Sequence, residues 1–259
     1  MQLKPAYLGP HYAAAFQDQM VAQAYQYRRS CPPATFPLLA HLIHDEPRVV
    51  LDVGCGTGDI ARNLVDLVDH IDAVDVSQAM IDQGKLLPRG DDPNIRWILG
   101  RAEDVPLVPP YALITAGQSL HWMDWEIVLP RFRDLLTPNG VLAIIRPEEA
   151  PRPWNDGVGH IIGRYSTNQD YQPFDMIPAL EQAGLFQQQG LQTTEPVVFT
   201  QSIDAYIESF HGMSSLSRER MGAESAAAFD AEVRSLVTPF AQDGQLVLEV
   251  TGEVLWGKP

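Results

Sequence analysis

The stretch VVLDVGCGTGDIARNL, Val49 to Leu64, constrains the fold more than any other part of the chain. A short β-branched run stops at Gly54, glycines recur at 56 and 58, and a helical pattern follows at once. Glycine lets the backbone turn tightly there and lets a ligand come close where a Cβ would clash. Strand, glycine turn and helix form the opening unit of an α/β sheet, whose ligands bind beyond the carboxyl ends of the strands. Free amides and the positive dipole end of the helix suit a carboxylate or a phosphate. A tight turn without any ligand accommodates the same glycines. The spacing is GxGxG, one residue short of the GxGxxG dinucleotide fingerprint.

Downstream the alternation continues. IARNLVDLV (Ile60–Val68) places apolar residues at helical intervals. IDAVDV (Ile71–Val76) reads as a second strand, and Ser77 as the N-cap of the helix QAMIDQGKLL. IRWILG (Ile95–Gly100) and YALITAG (Tyr111–Gly117) supply two more strands, WEIVLPRFRDLL a helix, and VLAIIR (Val141–Arg146) a fifth strand after the turn TPNG. Strands alternating with helices predict a parallel sheet covered on both faces.

After Arg146 the segment through Asp175 reads as an inserted loop with one short helix. MIPALEQAGLF is then a helix and LQTTEPVVFTQ one strand. A helical stretch from Ile203 to about Phe240, broken near Gly212–Ser217, precedes the alternating strand QLVLEVTGEVLWGK. The expected architecture is a Rossmann-like, seven-stranded, mostly parallel sheet with a helical cap over its ligand edge. It is read as one domain over 1–259: a core of about 33–146, 174–200 and 245–259, and cap segments of about 1–32, 147–173 and 201–240.

Bulk properties remove several function classes. A net charge of −15 lacks the basic footprint that nucleic-acid binding needs. No apolar run is long enough to cross a bilayer. Two cysteines, Cys31 and Cys55, and a start without an apolar leader fit a reducing, cytoplasmic setting. No Cys/His cluster has metal-ligand spacing, so no metal is expected, and no GxSxG elbow supports a hydrolase.

Three features give the glycine turn a ligand. Asp75 ends the second strand seventeen residues beyond Gly58, where a carboxylate can accept both hydroxyls of a ribose. GRAEDVPL (Gly100–Leu107) follows the third strand. Its Ala102 leaves room for a flat base, and Glu103 or Asp104 can accept from an exocyclic amine or stand as solvated loop charges. LITAGQSLHWMD and LLTPNGVLAII then complete the order on the fourth and fifth strands.

Over about Tyr25 to Arg146 this order resembles the class I S-adenosylmethionine-dependent methyltransferases, within them the small-molecule branch of trans-aconitate methyltransferase-like proteins. YRRSCP (Tyr27–Pro32) is similar to the YRPxYP stretch of that branch, with Arg29 in place of the usual proline and Cys31 in place of tyrosine. The resemblance implies S-adenosyl-L-methionine as cofactor, with S-adenosyl-L-homocysteine as product. It assigns Asp52, Gly54, Cys55, Gly56, Thr57 and Gly117 to the methionyl side, with Tyr25 and Arg28 closing over it. Asp75 takes the ribose, Val76 and Met80 the adenine face, and Ala102 with Glu103 the adenine edge. Without a phosphate to cradle, the turn needs close approach and acids such as Asp52 and Asp59 for the cofactor's positive groups.

The expected partner is a small-molecule acceptor, methylated at oxygen on a carboxylate or hydroxyl. Methylation at carbon or nitrogen, or cofactor binding without methyl transfer, stand as alternatives. A hydroxyl acceptor profits from a base, a carboxylate needs none. His121, just past the fourth strand, is the candidate base, or else a structural histidine beside Trp122. Trp122 and Trp125 line the acceptor pocket or cover the core. Trp154, His160, Arg164, Tyr165, Tyr206 and His211 fall in the cap; Trp122, Arg164, Tyr165 and Tyr206 are the candidate acceptor contacts. Arg164 offers a bidentate fork to a carboxylate unless it is a surface arginine.

Overall fold

The computed structural model describes residues 4–259, so residues 1–3 of the expected cap segment 1–32 lie outside the described residues. The sheet is built outward from β1 (Val49–Val53), which lies parallel between β2 (His70–Asp75) and β4 (Tyr111–Gly117). β3 (Ile95–Leu99) extends it beyond β2, and β5 (Leu136–Glu149) beyond β4. β8 (Gln245–Lys258) then runs antiparallel to β5. Residues 253–258 of β8 pair with β6 (Gln187–Thr193), and residues 245–250 with β7 (Val197–Ser202). The strand order is β3-β2-β1-β4-β5-β8-β6, with β7 on the other half of β8.

This makes eight strands where seven were expected, because LQTTEPVVFTQ is two strands rather than one. Pro196 lacks the amide a ladder needs. The chain pivots just before it, where Thr194 exchanges hydrogen bonds of 2.9 Å with Gly252 through its amide and its hydroxyl.

Helices follow in chain order. A strap at the start carries α1 (Pro10–Ala13) and α2 (Gln19–Ala24), and α3 (Thr35–His41) leads into the sheet. The crossovers are α4 (Asp59–Leu64), α5 (Gln78–Leu86) and α6 (Trp125–Leu135). Beyond β5 come α7 (Asn155–Tyr165), α8 (Met176–Gln182), α9 (Ile203–His211), α10 (Arg218–Met221) and α11 (Ala223–Val237). The inserted segment thus holds a helix of eleven residues.

Period-two alternation splits β1 between two cores. Leu51 and Val53 pack with Trp125, Val128, Phe132 and Leu180 on the α6/α8 face. Val50 packs with Phe36, Leu39, Ile60 and Leu64 on the α3/α4 face. A third core lies in the cap, where Trp154, Val158, Tyr206 and Phe229 meet Leu246 and Leu248 from β8.

Away from the ligand edge, Asp72 of β2 is buried and fully used. It accepts from the Arg96 fork at 2.7 and 2.5 Å, from the Tyr111 hydroxyl at 2.5 Å, and contacts His70 Nε2 at 3.0 Å. Residues from β2, β3 and β4 are tied together at this one carboxylate, which reaches past β1 to Tyr111.

Candidate active site

Strand order reverses between β1 and β4, which opens a crevice at their carboxyl ends. The glycine turn fills one side of it with Gly54, Gly56 and Gly58 at φ of +60°, +55° and +75°. Two of these glycines are sterically required. A Cβ at Gly54 would lie 2.5 Å from the Ser119 Cβ, and one at Gly58 would lie 2.4 Å from the Trp97 ring. At Gly56 the nearest atom, Tyr25 Cε1, is 3.6 Å away. A Cβ at Gly56 would thus meet the Tyr25 ring at ordinary contact distance, which places that ring directly over the turn.

A cavity of about 250 Å³ lies here, and it brings together Tyr25, Arg28, Asp52, Gly54, Cys55, Gly56, Thr57 and Gly117. Asp59, also on its wall, accepts the Cys31 amide at 3.0 Å. Asp52 is the chemically distinctive member. Its residue is 1% exposed, Oδ1 accepts from the Thr115 hydroxyl at 2.8 Å, and Oδ2 is buried without a hydrogen-bond partner. Burial pushes its carboxyl up to about 7, against the opposing hydrogen bonds from the Thr115 hydroxyl and the Ala61 amide. A buried carboxylate with an oxygen left over on a cavity wall suits a cationic amine.

Asp75 stands at the end of β2 and ties the turn down. Oδ2 accepts the Gly56 amide at 2.7 Å and Oδ1 the Ser77 amide at 2.8 Å. Burial raises its carboxyl and those amides oppose the rise. Ser77 in turn caps α5 through the Met80 amide.

Arg28 reaches across the crevice, donating to Gln118 Oε1 at 2.8 Å with its guanidinium 5.0 Å from the Tyr25 ring centre. Gln118 was not anticipated from sequence. It follows β4 at φ +50°, an uncommon conformation outside glycine, which turns the chain at the ligand edge.

Other expected contacts lie outside the cavity wall. Met80 is buried under Val21 and Ala22 of the strap, and Ala102 is buried in the sheet core. Val76 is 44% exposed. Glu103 is already engaged, accepting the Asp124 amide at the start of α6 at 2.9 Å and pairing with Arg101 at 3.5 Å. Phe16 of the strap meets both Tyr25 and Trp122 edge-on, so the strap roofs this side.

His121 is half-buried with its ring centre 4.8 Å from that of Trp122. Burial, with Lys4 and Arg28 nearby, pushes its imidazole down to about 4. Lys4, also unanticipated, donates to the Met123 carbonyl at 2.9 Å. Trp125 is a core residue, its indole donating to the Leu120 carbonyl at 2.8 Å.

In the cap, Arg164 and Tyr165 are not brought to the cavity. Both bind Glu232, Tyr165 at 2.8 Å, because α7 turns this face toward α11. His160 is exposed, while His211 is buried between the Leu216 carbonyl and Asp230, each at 2.8 Å. Tyr206 accepts the Trp154 indole at 3.2 Å and lies close to Arg152 instead. The cap meets the strap at Arg28, whose Cδ lies 3.3 Å from the place a Cβ on Gly212 would take.

Among the described residues no three His, Cys, Asp or Glu side chains are grouped to hold a metal ion, and no helix is long and apolar enough to cross a membrane.

The chain is similar to known methyltransferases. A family model described as a methyltransferase domain matches residues 50–140. A malonyl-[acyl-carrier protein] O-methyltransferase of Halalkalibacterium halodurans is 34% identical over 105 residues, 38% of this chain and 38% of its own. A trans-aconitate 2-methyltransferase of Enterobacter sp. is 34% identical over 134 residues, 50% of each chain. The chain spans about half the length, or less, of these curated relatives. A solved methyltransferase from Thiobacillus denitrificans, S-adenosylmethionine-dependent and in complex with S-adenosyl-L-homocysteine, shares the fold at a TM-score of 0.50. It is 17% identical over 91% of this chain and 96% of its own. The reversed strand order and the glycine turn both fall within the residues that the methyltransferase-domain model matches.

Proposed function

We propose that the chain transfers a methyl group from S-adenosylmethionine to an oxygen of a small-molecule acceptor, a carboxylate rather than a hydroxyl. The buried Asp52 carboxyl on the wall of the glycine-turn cavity carries the donor half of this reading. When bound, the cofactor supplies an electrophilic methyl on a sulfonium, open to in-line displacement. Asp52 and Asp59 hold its positive end, and Arg28 with Gln118 closes the crevice above. Asp75 offers its remaining lone pairs to the ribose while keeping Gly56 in place. The strap excludes water, so that the acceptor is held dry and aligned.

His121 supports the choice of a carboxylate. An imidazole pushed down to about 4 is neutral at pH 7 and a weak base, poorly matched to a hydroxyl proton. A carboxylate acceptor has no proton to lose; its oxygen forms the new bond and its charge cancels that of the sulfonium. The names of the two relatives, one acting on malonyl-carrier protein and one on trans-aconitate, support the same acceptor class.

Thermal shift tests the donor half. S-Adenosylhomocysteine is expected to raise Tm and NADH to leave it unchanged; a shift with NADH alone overturns the cofactor assignment. Asp75→Ala removes the ribose acceptor and the tether on Gly56 together. Calorimetric affinity for S-adenosylhomocysteine is expected to fall about 10- to 100-fold, the scale of hydrogen bonds to a charged group. An unchanged affinity removes Asp75 from the ribose site.

A further inference from the structure

The corner that follows β4 sends a side chain across the crevice from a strained backbone. Gln118 sits there at φ +50°, a conformation that disfavours any residue with a Cβ. Its surroundings hold it in place. The Gln118 amide donates to the Ile145 carbonyl of β5 at 3.2 Å. Next to it, the Ser119 hydroxyl donates to the Val53 carbonyl of β1 at 2.6 Å. On the other side, a Cβ at Gly117 would lie 2.7 Å from Ile60 Cδ1 of α4. Backbone strain fixed this firmly gathers where a side chain is needed in one direction. Here that direction leads to the strap, where Gln118 Oε1 accepts from Arg28 Nη2 at 2.8 Å.

Arg28 is braced as well. Its Cδ and Cγ lie 3.3 and 3.5 Å from the place a Cβ on Gly212 would take, and its guanidinium stands 5.0 Å from the Tyr25 ring centre. The bond to Gln118 goes to a neutral oxygen, so it orients the guanidinium and leaves its charge unspent. The other arginines on the cavity wall are turned to partners of their own. Arg29 pairs with Glu149, and Arg62 donates to the Thr57 and Pro88 carbonyls, each at 3.0 Å. The amino-acid end of the cofactor carries two charges. Asp52 suits its ammonium, and Arg28 is the cation left for its carboxylate.

We propose that Gln118 is a positioning residue: its side-chain amide, aimed by the corner after β4, sets the Arg28 guanidinium for the cofactor's carboxylate without neutralising it. The proposal rests on the methyl-transfer reading and assigns Gln118 no contact with the ligand. It requires a neutral acceptor at 118. A carboxylate there would pair with Arg28 and repel the carboxylate of the cofactor.

Calorimetry with two ligands separates positioning from a structural role. S-Adenosylhomocysteine carries the amino-acid end; 5′-methylthioadenosine keeps the adenine, ribose and sulfur and lacks it. Wild-type protein is expected to bind S-adenosylhomocysteine more tightly. Gln118→Ala should weaken S-adenosylhomocysteine about tenfold, the scale of a hydrogen bond to a charged group, and leave methylthioadenosine within about twofold. Gln118→Glu, equal in size and still an acceptor, should weaken S-adenosylhomocysteine by at least about 30-fold, with methylthioadenosine again unmoved. Gln118→Gly relieves the left-handed backbone, so it should melt above Gln118→Ala and show the same ligand loss. It carries the comparison if the alanine variant does not fold. In an Arg28→Ala background, Gln118→Ala should have no further effect.

Equal weakening of both ligands by the alanine and glycine variants overturns the proposal, because a collapsed corner would do the same. Unchanged S-adenosylhomocysteine affinity in Gln118→Glu, or additive losses in the double variant, also overturns it. Wild-type protein that binds neither ligand removes the methyl-transfer reading itself. Equal wild-type affinity for the two ligands leaves that reading standing and removes the proposal alone.

Discussion

Asp52→Asn is expected to weaken S-adenosylhomocysteine binding roughly 100-fold, about 3 kcal/mol, while stabilising the ligand-free protein at pH 8. The two effects share one cause. Burial raises the Asp52 carboxyl from its ordinary value near 3.8 to about 7. A carboxyl raised on folding contributes stability that is fully present below its unfolded value and is lost as pH rises through about 7. Above pH 7 the ligand-free fold carries a buried carboxylate with one oxygen unpartnered. Asparagine keeps the acceptor for the Thr115 hydroxyl and removes that charge. The charge is also what an ammonium binds, so the substitution that relieves the fold disables the site. Wild-type affinity should rise with pH up to about 7 and then level, by at most tenfold per pH unit, and the asparagine variant should lose this slope. Thermal melts and calorimetry from pH 5 to 9 read both effects. A variant that is more stable yet binds as tightly as wild type would falsify the role of Asp52.

Asp72→Ala should show the opposite division. Removing this carboxylate leaves the fully buried Tyr111 hydroxyl and the Arg96 fork without their acceptor. Losing the acceptor of a buried hydroxyl and of a half-exposed guanidinium costs about 2–4 kcal/mol. In a chain of this size each kcal/mol lowers Tm by about 2–4 °C, so a fall of roughly 10 °C is expected. Below the new Tm, S-adenosylhomocysteine affinity should remain within about twofold, because Asp72 sits three residues before the ligand end of β2. Tyr111→Phe, which removes one donor and leaves the carboxylate paired with Arg96, should cost much less. Comparable losses in the two variants would mean that the Tyr111 hydroxyl bond, rather than the Arg96 pair, carries the stabilisation.

The sheet was largely legible before the structure because its strands and helices announce themselves by period. β1 through β4 each carry an apolar run bounded by turn residues, and period is local information; β5 instead runs through TPNG, which reads as a turn, from Leu136 to Glu149. β7 was hidden because its separation from β6 depends on Pro196 and on the bonds between Thr194 and Gly252 across the sheet. The site divides in the same way. Asp52, Gly54, Gly56 and Asp75 are read from a contiguous turn and the adjacent strand end. Glu103 and Arg164 are diverted by partners distant in sequence, Asp124 and Glu232. No local pattern shows that α6 needs an acceptor at its first amides, or that α11 presents an acid to α7. Arg29 left a trace, as a departure from the proline of a similar stretch, but its direction is set by Glu149 at the far end of β5.

One strand carries a consequence for how acceptor range changes in such a chain. β8 pairs with β6 at residues 253–258 and closes the sheet, while its residues 245–250 pair with β7 and set Leu246 and Leu248 into the cap. The cap is therefore not an appendage on a hinge of loops; its floor is the first half of the strand that finishes the sheet. Grafting a foreign cap would mean transplanting half of that strand and matching its register to β5. Any change to the cap has to keep that pairing of β8 with both β5 and β7.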